Sequence, residues 1–142
     1  MNWNLILRLS LFGLAMGIAT VFWIPTHVEP FFWLAIFVLC AILIARRCSK
    51  RYFLHGFLVS LCNSVWITAV HAAFFDRYVA FHPEVLQMSA SLPLSEHPRV
   101  AMVLFGPVVG AVFGLVLGLL SVICRVVAFI ASKLVKKAKG VL

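Results

Sequence analysis

The chain has 142 residues, of which 64% are hydrophobic and only 11% are charged, and its formal net charge at pH 7 is +8. A typical soluble domain has about 25% charged residues, so this composition excludes an ordinary soluble protein and predicts one integral membrane domain, residues 1–142. The positive charge does not indicate a nucleic-acid partner, because the lysines and arginines stand beside hydrophobic segments, where they are typical of membrane orientation. The cysteines show no CxxC spacing, and we expect no cofactor.

The first two hydrophobic segments predict a pair of antiparallel membrane helices. The first runs from about residue 5 to 24 and ends before Pro25, and the second covers about 28 to 45. The connection between them is short, so we expect the second helix to return beside the first. The second segment stops at the basic run 46–51, which cannot lie in hydrocarbon. A cleavable signal peptide ending near Ala19 is the alternative interpretation of the first segment.

The third segment, about residues 53 to 75, carries most of the polar side chains within the hydrophobic runs. They recur at helical spacing and share a face, which we expect to look into the protein rather than at lipid. Such a face is a candidate transport pathway, and hydrogen bonds between helices, worth about 0.6 kcal/mol each, are its alternative use. This polar face consists of Ser60, Asn63, Ser64, Thr68 and His71.

The C-terminal half predicts an outer loop, a fourth membrane helix and a basic tail. Residues 76–99 form an amphipathic connection, in which Pro83 is expected to open a short helix that ends near Ala90. The fourth helix covers about 100 to 124. Residues 125–142 then alternate apolar side chains with lysines, which predicts that the helix emerges from the membrane and lies along an anionic lipid surface as a basic cytoplasmic tail.

Charge asymmetry predicts the orientation of these helices. If both termini and the 46–51 loop are cytoplasmic, that side holds ten of the twelve lysines and arginines, and only Arg77 and Arg99 lie outside. We therefore predict an all-α, integral membrane four-helix bundle with both termini in the cytoplasm. The cytoplasmic basic residues are Arg8, Arg46, Arg47, Lys50, Arg51, Arg125, Lys133, Lys136, Lys137 and Lys139.

Two stripes of small residues predict close helix packing. The first, which we call the glycine ridge, has the four-residue spacing of a glycine zipper and consists of Gly106, Gly110, Gly114 and Gly118. The second, the small-residue stripe of the first helix, consists of Ser10, Gly13, Gly17 and Thr20. Glycines at such spacing let two helix backbones approach closely in a membrane. We expect the ridge to pack against the stripe within one chain, and a seam between copies is the alternative.

Histidines and glutamates collect on the predicted outer side. Imidazole and carboxylate groups together are ligands for zinc or a similar divalent ion, which raises the hypothesis of a metal site. Ordinary interfacial polar residues are the other interpretation, because the spacing matches no HExxH helix. The candidate ligands are His27, Glu29, His82, Glu84, Glu96 and His97. No nucleophile elbow or phosphate-binding glycine loop is present in the sequence, so we do not expect an enzyme.

Three sequence stretches carry a family resemblance: FGLAMGI in the first helix, HPE after the third, and LFGPVVGAVFGLVLGLL in the fourth. With these, the chain resembles small four-helix bacterial inner-membrane proteins of the domain-of-unknown-function type. The resemblance implies a bacterial inner membrane and a similar four-helix plan, and it implies no activity and no functional residue.

These observations predict a non-enzymatic integral membrane protein that acts through helix packing, as a homo-oligomer or as a subunit of a membrane complex. The alternative is a small transporter or channel subunit that uses the polar face of the third helix. The expected partners are the lipid bilayer, anionic lipid at the basic tail, and a second copy or another membrane protein.

Overall fold

The computed structural model describes residues 1–85, 87 and 96–139, and within these ranges all regular structure is helical. The helices are α1 (Trp3–Phe22), α2 (Glu29–Arg47), α3 (Tyr52–Ala73), α4 (Phe75–Phe81) and α5 (Pro98–Lys139). All of these except α4 are long and apolar enough to cross a membrane, judged by length and composition. The all-α fold and the four candidate membrane helices predicted from the sequence are therefore confirmed.

Local chemistry explains where the first two helices begin. The Asn2 side chain caps α1, since its Oδ1 accepts a hydrogen bond from the backbone N–H of Leu5 at 3.1 Å. A capped first turn satisfies one of the free N–H groups of a helix start, so α1 begins two residues before its predicted start. In α2, Pro30 lies in the first turn, where its missing N–H leaves no backbone partner unpaired.

The outer loop contains a helix, α4, that begins before the position expected from Pro83. α3 ends at Ala73, and after the single residue Phe74 the chain turns into α4. The helix expected to open at Pro83 lies largely outside the described residues, and of it the structure describes residues 84, 85 and 87 as helical.

The last helix is much longer than its predicted membrane segment. α5 has 42 residues, which corresponds to about 63 Å at about 1.5 Å per residue, roughly twice the hydrocarbon thickness of a bilayer. Pro107 lies within it without ending it. The helix continues through residue 125, where the membrane segment was predicted to end and the emerging helical tail to begin. Every residue from 125 to 137 is exposed.

α3 is the central helix of the bundle. It packs against α1 on one side and against α5 on the other, and α2 packs mainly against α5. α1 and α3 run parallel, since Asn2 contacts His55 near their starts and Thr20 contacts His71 near their ends. Two expectations from the sequence are therefore wrong. α2 contacts α1 only weakly, and the glycine ridge packs against α3 rather than against the small-residue stripe of α1.

The arrangement follows from the shapes of the three helices. Both stripes of small residues face α3, whose larger side chains fill their surfaces. α3 supplies side chains to both. Its Phe53, Phe57, Ser64 and Thr68 face the glycine ridge, and its Asn63, Ile67 and Val70 face Gly13 and Gly17. Asn63 and Ser64 are adjacent in sequence and point about 100° apart on a helix, so one can face α1 and the other α5.

Glycine is required where two backbones meet most closely. A Cβ atom at Gly13 would lie 2.6 Å from the Cα atom of Asn63, and a Cβ atom at Gly56 would lie 2.6 Å from the carbonyl oxygen of Leu117. Either contact would force backbone atoms apart. Gly56 was not among the packing residues predicted from the sequence, and it does for the α3–α5 contact what Gly13 does for the α1–α3 contact.

The bundle is tightly packed at one end and open at the other. We call the end at which α1 and α3 begin the basic end, and the opposite end, which carries Glu29, Asp76, Glu84 and Glu96, the acidic end. α2 buries side chains only from Phe37 onwards, towards the basic end. The core there consists of Leu5, Ile6, Leu9, Phe37, Cys40, Ala41, Ile44, Val59 and Leu117. Towards the acidic end α2 leaves a space beside α3.

Candidate functional site

The space between α2 and α3 at the acidic end is an open cleft of about 790 Å³, which α4 and α5 also line. Its walls come from the first half of α2, the second half of α3 and mainly the first half of α5, so it begins at the acidic end and reaches the depth of Ser60. Phe37 and Phe113 meet edge to face at 6.0 Å, where α2 comes against α5. The aromatic residues in its lining are Trp33, Phe37, Phe75, Tyr78, Phe105 and Phe113.

A polar cluster closes the acidic end of the cleft against α1. We call it the histidine cluster; its members are Thr20, Thr26, His71, Tyr78, His82 and Glu84. The rings of His71 and Tyr78 stack at a centroid distance of 3.8 Å, and the ring of His82 lies 4.7 Å from that of Tyr78. Both histidines are buried, His82 with 1% of its surface exposed. α4 is thus held against α1 and α3 by aromatic stacking and hydrogen bonds rather than by aliphatic packing alone.

The hydrogen-bond partners assign the proton of His82. Its Nε2 lies 2.9 Å from the carbonyl oxygen of Thr20. A carbonyl oxygen can only accept, so His82 Nε2 carries a proton. Nε2 of His71 lies 2.8 Å from the hydroxyl of Thr20, which is also within reach of the carbonyl oxygens of Met16 and Gly17.

A second set of hydrogen bonds joins His82 to the loop before α2. The hydroxyl of Thr26 contacts both Nδ1 of His82 and the carboxylate of Glu84, and Glu84 lies 3.6 Å from His82 Nδ1. The Thr26 hydroxyl has one proton, so it cannot donate to both neighbours. Thr26 ties both His82 and Glu84 to the loop before α2.

Two pKa values respond to this arrangement. Burial raises the pKa of Tyr78, the negative charges of Glu29 and Glu84 act in the same direction, and together they bring it to about 12. The hydrogen bond from Thr26 lowers the pKa of Glu84 below its ordinary value, because it stabilises the ionised carboxylate. The acidic end of the cleft therefore keeps a neutral phenol beside an ionised carboxylate.

The predicted polar face of α3 is divided between two neighbours. Ser60 donates to the carbonyl oxygen of Gly110 at 3.1 Å, and Ser64 and Thr68 lie against Gly110 and Gly106 of the ridge. Asn63 and His71 face α1 instead. All five of these α3 residues also line the cleft, and only Thr68 is not buried.

Asn63 ties α1 to α3 through its carbonyl oxygen. Its Oδ1 accepts from the backbone N–H of Gly13 at 2.9 Å, which fixes the orientation of the amide, since the reverse orientation would bring two donors together. Its Nδ2 is a buried donor without a partner among the described residues. The contact of Gly13 with Asn63 is thus both steric and hydrogen bonded.

The proposed metal ligands do not converge. Only His82 and Glu84 come together, and no group of three potential ligands forms anywhere in residues 1–85, 87 and 96–139. His27 is exposed in the turn between α1 and α2, and Glu29 accepts a hydrogen bond from Nε1–H of Trp33 at 3.0 Å. Glu96 and His97 are exposed immediately before α5. The sequence spacing alone could not reveal which of these side chains come together.

Three members of the histidine cluster were missed as site residues: Thr20, Thr26 and Tyr78. The signal for Tyr78 was its spacing, because Tyr78 and His82 are four residues apart and so face the same way on a helix. Recognising it required α4 to be placed before Pro83 rather than after it. Thr26 has no sequence signal, since its role depends on the fold of two distant connections.

No family model matches the chain, and neither a curated protein nor a solved structure is significantly similar to it. The resemblance to small bacterial inner-membrane proteins therefore stays a prediction.

Proposed function

We propose that the chain is a non-enzymatic, multi-pass membrane protein that takes a hydrophobic ligand from the surrounding lipid into the cleft, as the binding component of a small transporter. The cleft carries this proposal. At about 790 Å³ it has the size of a small-molecule site, which is typically about 300–1,000 Å³, and it has mainly apolar walls with polar groups gathered at one end. The core fills the basic end, which favours a binding component over an open channel.

The proposed orientation places the basic end in the cytoplasm of a bacterial inner membrane. Its support is the charge distribution, with ten of the twelve lysines and arginines at or beyond the basic end. The cleft would then open towards the outer leaflet. The exposed part of α5, which alternates Phe129 and Ile130 with Lys133, Lys136 and Lys137, would lie against anionic lipid.

Two neighbouring valines provide a matched test of the cleft. Val108 and Val109 are adjacent on α5, with 57% and 51% of their surfaces exposed, but only Val109 lines the cleft. Val109→Trp should fill the cleft, whereas Val108→Trp should place the same indole in lipid. We expect native mass spectrometry of the purified chain to detect a bound small molecule in the wild type and in Val108→Trp, and to detect none in Val109→Trp.

The same measurement can refute the proposal. Equal occupancy in both tryptophan variants would show that any bound molecule is ordinary lipid on the outside of the bundle. A wild type that never carries a small molecule, with both variants folded, would remove the binding function altogether.

Assembly with a second copy is the other candidate function. The glycine ridge no longer supports it, because α3 occupies the ridge within the chain. The observation in its favour is residues 125–137 of α5, an exposed helix with apolar side chains and no helix packed against it among the described residues. Light scattering of the detergent-solubilised chain should then give a multiple of 15.8 kDa, and Ile130→Glu should reduce it to one chain. A single-chain mass for the wild type would exclude this function.

A further inference from the structure

The charges around the cleft differ in sign from those of the whole chain. The chain has twelve lysines and arginines and four aspartates and glutamates. Two of those four acids, Glu29 and Glu84, line the cleft, and no lysine or arginine lines it in the part of the chain that the structure describes. Both carboxylates are close enough to Tyr78 for their charge to act on it. A strongly basic protein thus has a cleft whose formal charges are negative.

The nearest basic residues do not neutralise these two carboxylates. Arg99 pairs with Asp76 at 2.7 Å and lies 5.0 Å from the centre of the Phe75 ring. Arg77 lies 5.0 Å from the centre of the Phe22 ring, on α1. The titratable group that faces Glu84 is His82, and it is held by Thr20 and Thr26.

The two carboxylates are also held in place. Glu29 accepts from Trp33, one turn further along α2, and Glu84 accepts from Thr26. An ionised carboxylate accepts up to about four hydrogen bonds, so each can still bind a cation. Below them the cleft is lined by the aromatic residues Trp33, Phe37 and Phe113. Aromatic rings attract cations through their negative faces, and the attraction is strongest where water is excluded.

We propose that the cleft binds a lipophilic organic cation, with its hydrophobic body among the aromatic side chains and its charge beside Glu29 and Glu84. This inference rests on the proposed function and adds the class of ligand to it. Charge complementarity selects the cation, and the apolar walls select an organic body over a hydrated metal ion.

A pair of probes with the same shape and opposite charge tests the inference. Tetraphenylphosphonium and tetraphenylborate can each be measured by equilibrium dialysis against the purified chain in detergent, with detergent alone as background. We expect the phosphonium ion to bind at least tenfold more tightly than the borate. Glu29→Gln with Glu84→Gln should weaken phosphonium binding at least tenfold, while Glu96→Gln, at an exposed acid outside the cleft, should leave it unchanged.

If the double variant does not fold, the single variant Glu29→Gln still decides the test, because glutamine can accept the same hydrogen bond from Trp33. We expect Glu29→Gln to weaken phosphonium binding severalfold. Equal affinity for the two probes, or equal loss in Glu29→Gln and Glu96→Gln, would overturn the inference. The proposed function would survive such a result if a neutral molecule still co-purified with Val108→Trp and not with Val109→Trp. Loss of that difference would overturn the function itself.

Discussion

Gly13→Ala should destabilise the bundle although alanine is the better helix former. The added methyl carbon would lie 2.6 Å from both Cα and O of Asn63 and 2.8 Å from its Oδ1. Two of these three atoms are backbone, so α1 and α3 must move apart to relieve the overlap. Overpacking of this kind typically costs about 1–3 kcal/mol.

Two smaller effects accompany the overlap. Separation of the helices would lengthen the 2.9 Å hydrogen bond from the Gly13 N–H to Asn63, and such bonds contribute about 0.6 kcal/mol in membranes. The higher helix propensity of alanine stabilises α1 by up to about 1 kcal/mol and so offsets part of this loss. The net loss should be about 1–2 kcal/mol, which is roughly a 5- to 30-fold change in the folding equilibrium.

Gly17→Ala is the matched comparison on the same helix. Its methyl carbon would lie 3.2 Å from Cβ of Val70 and 3.3 Å from Cα of Ile67, distances that a shift of a few tenths of an ångström relieves. We expect a loss of less than about 0.5 kcal/mol. Unfolding of both variants in mixed micelles with increasing dodecyl sulfate, followed by circular dichroism, measures the difference. A Gly13→Ala variant as stable as the wild type, or less affected than Gly17→Ala, would refute the close approach of α1 and α3.

Three further predictions concern the histidine cluster and the start of α3. Thr26→Val should raise the pKa of Glu84 towards its ordinary value, and Thr20→Val should not; a carbon-detected NMR titration measures both. Because the pKa of Glu84 is lowered in the folded protein, the stabilisation that Glu84 provides is present above its ordinary pKa and is lost as the pH falls. Tyr78 ionises more easily when unfolded, so stability should fall between pH 10 and about 12, and Tyr78→Phe should reduce that fall. Arg51 has a left-handed backbone with φ of 57°, so Arg51→Gly should raise the free energy of unfolding by about 0.5–1 kcal/mol, whereas Arg51→Ala should not.

The membrane helices were predictable because hydrocarbon imposes a length and a composition on any segment that crosses it. The starts and ends of the first three follow the sequence within about two residues. The continuation of α5 beyond residue 125 also followed the sequence, because lysines end a membrane segment without ending a helix. Lysine is a good helix former, so Lys133 and Lys136 continue the helix that the hydrophobic run began.

The partner of the glycine ridge could not be predicted for a different reason. Small residues at four-residue spacing indicate that another backbone comes close, but they do not identify which helix supplies the larger side chains. That information lay in α3, where Phe53 and Phe57 precede Ser64 and Thr68 on the side facing α5. The cleft could not be predicted either, because it depends on where α2 and α3 separate. Trp33 and Phe37 would have the same positions in the sequence if the bundle were closed.

In the structure α2 stands away from α3 at the acidic end, and we propose that a hydrophobic molecule occupies the space between them. Cryo-electron microscopy of the full chain in lipid nanodiscs, enlarged by a rigid antibody fragment, measures this directly. We expect non-protein density between Trp33, Phe37 and Phe113, extending towards Glu29 and Glu84. A map in which α2 packs against α3 along its whole length, with no space for a ligand, would contradict the account.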